Sequence, residues 1–232
     1  MSTAQSTKAL HLAEDSIARG YDYVCYDPEC VSELYEKPAE ECFEMFNRLE
    51  FSHWFDDANT AINYIKRTTP EDRKILMIGS SMGGWITLSL AQKYPELIKG
   101  VILIAPAVNF MRKGYLKWYN ECTLEDKEML DAGETIVIKS AYGELPMSKN
   151  FSETSFEVEL DLSSPINVNC PVRILHGVLD ESVRYENSIG LMKLITSNDV
   201  DLLYRKAGNH RLSEKNDLEL LSQTIDTMMK CV

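Results

Sequence analysis

The stretch Lys74-Ile75-Leu76-Met77-Ile78-Gly79-Ser80-Ser81-Met82-Gly83-Gly84-Trp85 constrains the fold more than any other part of the chain. Its apolar run is too short for a helix and has the unbroken character of a strand buried on both faces, as in a parallel sheet. The run ends in Gly79-Ser80-Ser81-Met82-Gly83, a Gly-x-Ser-x-Gly pattern, and the segment from Gly84 to Ala91 reads as a helix. A strand that reverses sharply into a helix holds the serine at its apex in a strained conformation and demands small residues two places to either side. Gly79 and Gly83 are the expected small neighbours. A glycine-rich strand-to-helix turn also occurs as plain packing. The strand before and the helix after it are what make Ser81 a candidate nucleophile.

The remaining periodicities predict more of the same layers. Thr7 can cap a first helix with Leu10, Ala13 and Ile17 on one face, closed by Gly20. Tyr21 to Tyr26 has strand character, broken at Asp27-Pro28. A loop to about Phe51 precedes a helix capped by Ser52, with Asp56 and Asp57 in its first turn and Trp54, Ala58, Ala61, Ile62 and Ile65 as its apolar stripe. Val101 to Ala105 is a second pure apolar strand. From Pro106 to Pro171 the rhythm lapses. Helical patterns at Tyr115 to Tyr119 and Leu124 to Leu130 alternate there with strand patterns at Thr135 to Ile138 and Phe156 to Leu160. Val172 to His176 then resumes the sheet, followed by a helix from Ser182 to about Thr196, a strand from Asp199 to Tyr204 and a last helix from Ser213 to about Lys230, with Leu218, Leu221, Ile225 and Met228 or Met229 on one face. This βαβ order predicts an α/β fold, a mostly parallel sheet flanked by helices. Residues 1–232 are read as one domain, and the stretch at about 107–168 as a cap inserted over the site, because irregular segments of that length are usually functional.

Composition narrows the function. A formal net charge of −12 argues against nucleic acid or anionic lipid as a partner, since both are bound through clustered Lys and Arg. Six cysteines, Cys25, Cys30, Cys42, Cys122, Cys170 and Cys231, form no Cys-x-x-Cys pair, so neither a zinc site nor a disulfide framework is suggested. No metal or cofactor is implied. No run of about 18 apolar residues could span a bilayer, and Met1 to Thr7 has neither a signal-peptide core nor a transit peptide's arginines. As written, the chain carries no address and would be cytoplasmic.

A serine hydroxyl needs a base to take its proton and a third group to orient that base, each on a loop at a strand's C-terminal end. His11 and His53 precede the serine and suit surface or capping roles. His176 ends a strand before Gly177 and is read as a buried structural histidine. His210 lies in Ala207-Gly208-Asn209-His210-Arg211-Leu212, a glycine-bearing turn after the last strand, and is the expected base. Asp180, in the turn after the preceding strand, is the expected acid, preferred over Glu181; the bland reading of Asp180 is a helix N-terminal carboxylate. The backbone N–H of Met82 would hold part of the oxyanion.

Gly79 to Trp85, Ser164 to Gly177 and His210 to Lys215 are the stretches by which the chain resembles the mitochondrial palmitoyl-protein thioesterase family of the α/β-hydrolase superfamily, whose activity is also described as mycophenolic acid acyl-glucuronide esterase. The similarity runs from Thr7-Lys8-Ala9-Leu10 to the end. It implies the α/β-hydrolase fold, Ser81, Asp180 and His210 as catalytic residues, a mitochondrial location, and as substrates acyl esters or S-acylated protein thioesters. It also implies two departures. Family members begin with strands and a glycine-aromatic loop that supplies the second oxyanion donor, and here the N-terminal strands and that loop are missing, which would leave a gap beside the elbow strand. The family's Asp-Tyr-Ser-Gly-x-Gly pattern stands here as Asp27-Pro28-Glu29-Cys30-Val31-Ser32. The chain is then either a shortened version of a longer protein, unstable or poorly active alone, or a degenerate relative. The alternative to a serine hydrolase is accordingly a catalytically impaired binding or interaction protein of the same fold.

Overall fold

A computed structural model of the protein describes residues 3–140 and 143–230. The chain gathers into two compact units, one of Met1–Ala4, Tyr26–Asn63 and Asn109–Glu159, the other of Gln5–Cys25, Tyr64–Val108 and Leu160–Val232. In chain order the first elements are α1 (Thr7–Arg19), the short helices α2 (Glu33–Glu36) and α3 (Phe43–Phe46), and the long helix α4 (Phe51–Thr68). Next come β1 (Ile75–Ser80), α5 (Met82–Lys93) and β2 (Ile98–Ile104). Then follow α6 (Phe110–Glu121), α7 (Leu124–Asp131), β3 (Ile136–Ser140), β4 (Gly143–Met147) and α8 (Lys149–Thr154). The chain closes with β5 (Val172–Gly177), α9 (Asn187–Leu194), β6 (Val200–Arg205) and α10 (Lys215–Met228).

The second unit holds a four-stranded sheet in the order β1-β2-β5-β6, every pair parallel. Its two middle strands, β2 and β5, are the most deeply buried: Val101, Ile102, Leu103, Val172 and Ile174 have no solvent exposure. Isoleucine and valine suit a pleated surface covered on both faces, which is why β2 needs no polar alternation. Helix α5 lies against β1 and β2. One face of the sheet joins α1 and α10 in a core of Leu12, Ile104, Leu175, Leu221, Ile225 and Met228. Strand β1 stands at the end of the sheet, with Ile75 to Ile78 only half-buried.

Tyr21 to Tyr26 joins no ladder among the described residues; Tyr23 packs on the core, while Val24 is exposed. A strand exists only with a hydrogen-bonding neighbour, and aromatic composition does not provide one. Helix α1 is preceded by Ser6 rather than capped by Thr7, and it ends at Gly20 in the left-handed conformation, as expected. Its buried residues are Ala9 and Leu12, whereas Leu10 and Ile17 are 46% and 75% exposed. Docking on α10 through Leu12 selects that face. Helix α9 begins at Asn187, not Ser182, because the Asp180 carboxylate takes the N–H groups of Ser182 and Val183 and turns the chain first.

In the other unit, α4 starts at Phe51, with Ser52 inside it and no acidic residue in its first turn. Phe51, Trp54, Ala58 and Ile62 form its buried stripe. Phe46, Phe51, Trp54 and Phe151 pack ring against ring, and Trp54 Nε1 donates to Glu29 O. The loop before Phe51 contains α2, α3 and a 3-10 turn, Ala39–Cys42. Strand β3 pairs antiparallel with β4, which the sequence pattern missed because Pro146 breaks its alternation; a proline is tolerated in such a two-stranded ribbon. Phe156 to Leu160 is not a strand: a 3-10 turn, Ser155–Val158, continues from α8, and the Thr154 and Ser155 hydroxyls bond carbonyls one turn back.

The two faces of α1 should respond differently to substitution. Leu12→Ala should cost about 2–4 kcal/mol of stability and Ile17→Ser less than about 0.5 kcal/mol, read from urea unfolding midpoints.

Candidate active site

Ser81 sits at the junction of β1 and α5 with φ 57 and ψ −121, a backbone conformation that a side chain rarely adopts. Three hydrogen bonds hold it there: Ser81 N–H donates to Ile104 O at 2.8 Å, and its carbonyl accepts from Gly84 N–H at 2.9 Å and Ala107 N–H at 3.0 Å. Space explains which glycines the turn requires. A Cβ on Gly79 would lie 2.3 Å from Gly83 O and 2.4 Å from Thr87 Oγ1, and one on Gly84 would lie 2.9 Å from Pro106 Cβ. A Cβ on Gly83 would meet nothing within 4 Å. The crowded pair is therefore Gly79 and Gly84, not Gly79 and Gly83, because the carbonyl of Gly83, rather than its α-carbon, faces the strand. Met82 opens α5, where an N–H has no acceptor within the helix.

Asp180 and His210 come from loops following β5 and β6, which run side by side with Gly177 opposite Arg205. The loops are stitched together by Val178 N–H to Arg205 O and Leu179 N–H to Gly208 O, both at 2.9 Å. This approach requires two glycines: a Cβ on Gly177 would fall 2.3 Å from Gly208 O, and one on Gly208 would fall 3.2 Å from Gly177 Cα. The histidine loop is shaped locally by Asn209, whose Oδ1 accepts from Arg211 N–H and Leu212 N–H. Leu212 is buried in the core, and the Lys8 ammonium on α1 donates to Arg211 O. Burial, and then the charge of Arg211, lowers the Lys8 amine to about 8.

The three predicted side chains meet in one hydrogen-bonded line. Ser81 Oγ lies 3.0 Å from His210 Nε2, and His210 Nδ1 lies 2.7 Å from Asp180 Oδ2. Since Asp180 can only accept, Nδ1 carries the ring proton and Nε2 is free to take the proton of Ser81. The Asp180 side chain has no solvent exposure. Burial alone would raise its pKa, but hydrogen bonds from Val183 N–H, His210 and Ser182 N–H outweigh it and hold the carboxyl below the usual carboxylate range. Burial lowers His210 from its ordinary value, against the pull of Asp180, which keeps the imidazole neutral and able to accept a proton.

His176 is buried, as expected, yet it does more than fill space: its Nε2 lies 3.0 Å from the same Asp180 Oδ2 that His210 engages. The spacing of four between His176 and Asp180, across the turn from a strand, is the signal that could have found this contact. His11 pairs with Ser222 and His53 with Glu29 at the periphery. Five of the cysteines are unpaired, and Cys231 lies outside the described residues. Among the described residues no group of three or more His, Cys, Asp or Glu could hold a metal, and no helix is long and apolar enough to cross a membrane.

A parallel sheet with a serine at a strained strand-to-helix turn after β1, faced by aspartate and histidine from the loops after β5 and β6, defines a serine hydrolase of the α/β-hydrolase class. The sequence family described as serine aminopeptidase, S33 (Hydrolase_4) matches residues 44–129. The mitochondrial palmitoyl-protein thioesterase ABHD10 of Bos taurus is 30% identical over 231 residues, 99% of this chain and 70% of its own length. That of Mus musculus is 36% identical over 157 residues, 66% of this chain and 51% of its own length. The solved structure of alpha/beta hydrolase domain-containing protein 10 from mouse matches with a TM-score of 0.72 at 28% identity, covering 99% of this chain and 86% of that one. The chain belongs to the ABHD10 palmitoyl-protein thioesterase family.

The glycine assignments are separable by thermal unfolding. Gly79→Ala and Gly177→Ala, which force backbone against backbone, should each cost about 1–3 kcal/mol. Gly83→Ala, in open space at a helix start, should leave stability unchanged or raise it by up to about 1 kcal/mol.

Proposed function

We propose that the chain hydrolyses acyl esters or thioesters through an acyl-enzyme on Ser81, with S-acylated protein cysteines and acyl glucuronides as its substrate classes. The observation that carries this reading is the line from Ser81 Oγ through His210 to the buried Asp180, behind a strained serine. In this reading Ser81 Oγ attacks the acyl carbon while its proton passes to His210 Nε2. Asp180 holds the imidazole in the required tautomer and stabilises its protonated form without taking the proton itself. The oxyanion leans on the N–H of Met82. His210 then returns the proton to the departing thiol or alcohol, and a water molecule, deprotonated by the same nitrogen, attacks the acyl-enzyme and releases the carboxylic acid of the acyl group as Ser81 Oγ takes the proton back. The relatives' names support the thioester class and a mitochondrial setting, and the net formal charge of −12 supports a substrate other than nucleic acid.

Labelling with a fluorophosphonate probe tests the nucleophile. Wild type should label and turn over p-nitrophenyl esters and a palmitoyl-cysteine peptide, and Ser81→Ala should do neither; no labelling of a folded wild-type chain would sink the assignment. His210→Ala and Asp180→Asn should each lower turnover on the order of 10⁴-fold while the chain still unfolds cooperatively. Because burial lowers the His210 pKa, kcat/KM should hold down to below about pH 6.5 and fall only as the pH drops through the ionisation of His210.

A further inference from the structure

Asp180 Oδ2 is shared by two histidines, and we propose that His176 is a positioning residue for the reaction, acting through Asp180 on the proton affinity of His210. The inference rests on the roles given to Asp180 and His210 above. His176 Nε2 faces only acceptors, Asp180 Oδ2 at 3.0 Å and Val183 O at 3.1 Å, so it carries a proton and donates it to both. Its Nδ1 lies 2.7 Å from Ser188 Oγ, a buried hydroxyl on α9 that fixes the ring from the far side. His176 thereby ties the end of β5, the acid loop and the first turn of α9 to one carboxylate oxygen.

Asp180 Oδ1 accepts from Ser182 N–H and Val183 N–H, each at 2.8 Å, and Oδ2 accepts from His176 and His210. Four donors saturate the carboxylate. The backbone pair fixes Oδ1; His176 alone, among the described contacts, fixes Oδ2 independently of the catalytic histidine. Its donated proton also draws charge from the oxygen that His210 leans on. Without it Oδ2 would present more unshared charge, favour protonated His210, and make the base harder to keep neutral. The charged or titratable groups bearing on His210 are Asp180, Lys8 and His176 itself.

His176→Leu and His176→Gln in the full chain test this, because a glutamine amide can place a donor where Nε2 stands and leucine cannot. Turnover of p-nitrophenyl butyrate, normalised to serine titrated with a fluorophosphonate, should fall roughly tenfold to a hundredfold in His176→Leu with little change in KM, the loss typical of removing a hydrogen bond to a charged group. The acid limb of kcat/KM, and the His210 titration followed by NMR of its imidazole, should both move to higher pH, and His176→Gln should restore most of each. Ser188→Ala, which leaves the ring but frees it, should move the same quantities in the same direction by less, and it carries the test if His176→Leu does not fold. A His210 titration left at its wild-type pH in a folded His176→Leu or, failing that, a folded Ser188→Ala would overturn the inference. Absence of wild-type turnover would overturn the proposed hydrolysis instead, and the NMR titration would still decide the role of His176.

Discussion

A carboxylate shut away from water must be surrounded by donors or give up its charge. The Asp180 side chain has no solvent exposure and four donors, two from its own turn and two from histidines rooted in β5 and the loop after β6. The acid loop and the catalytic histidine are both oriented through this group. The turn that brings Ser182 and Val183 round to Oδ1 delays α9 to Asn187, and the approach of Gly177 to Gly208 brings His210 within reach of Oδ2. A side chain at either glycine would separate the two loops and leave the buried charge short of a partner.

The serine depends on a different constraint. Its left-handed φ costs on the order of 1–3 kcal/mol and persists only where the surroundings over-determine it. Here they do: β2 accepts the Ser81 N–H, two backbone amides take its carbonyl, and Gly79 and Gly84 allow strand, helix and the Pro106 segment to approach. Strand β2 can serve as this anchor because Val101 to Leu103 are fully buried between β1 and β5. The strained apex is thus anchored on one of the two buried middle strands of the sheet.

How far the sequence was legible varied with the range of the forces involved. The runs Ile75 to Ile78 and Val101 to Ile104 are strands because unbroken apolar stretches of that length have few other stable outcomes, and Val172 to His176 keeps enough β-branched and apolar character around Arg173 to read the same way. Ser81, Asp180 and His210 could be picked out because each sits where a strand ends in a turn, so their joint placement at one end of the sheet follows from parallel topology. By contrast, Tyr21 to Tyr26 had strand composition without a ladder neighbour, β4 hid behind Pro146, and the α1 face containing Leu10 and Ile17 lost to the face that docks on α10.

By itself the sequence determined the α/β layering, the strained serine turn and the identity of its candidate partners, since these rest on hydrophobic periodicity and on sterics acting over a few neighbouring residues. Only the tertiary structure decided that Gly84 rather than Gly83 is the crowded glycine of the elbow, that Gly177 and Gly208 touch, and that His176 and His210 share one oxygen of Asp180. Those are contacts between segments distant in the chain, and close approach and hydrogen-bond sharing are fixed by where backbones finally lie, which no local pattern encodes.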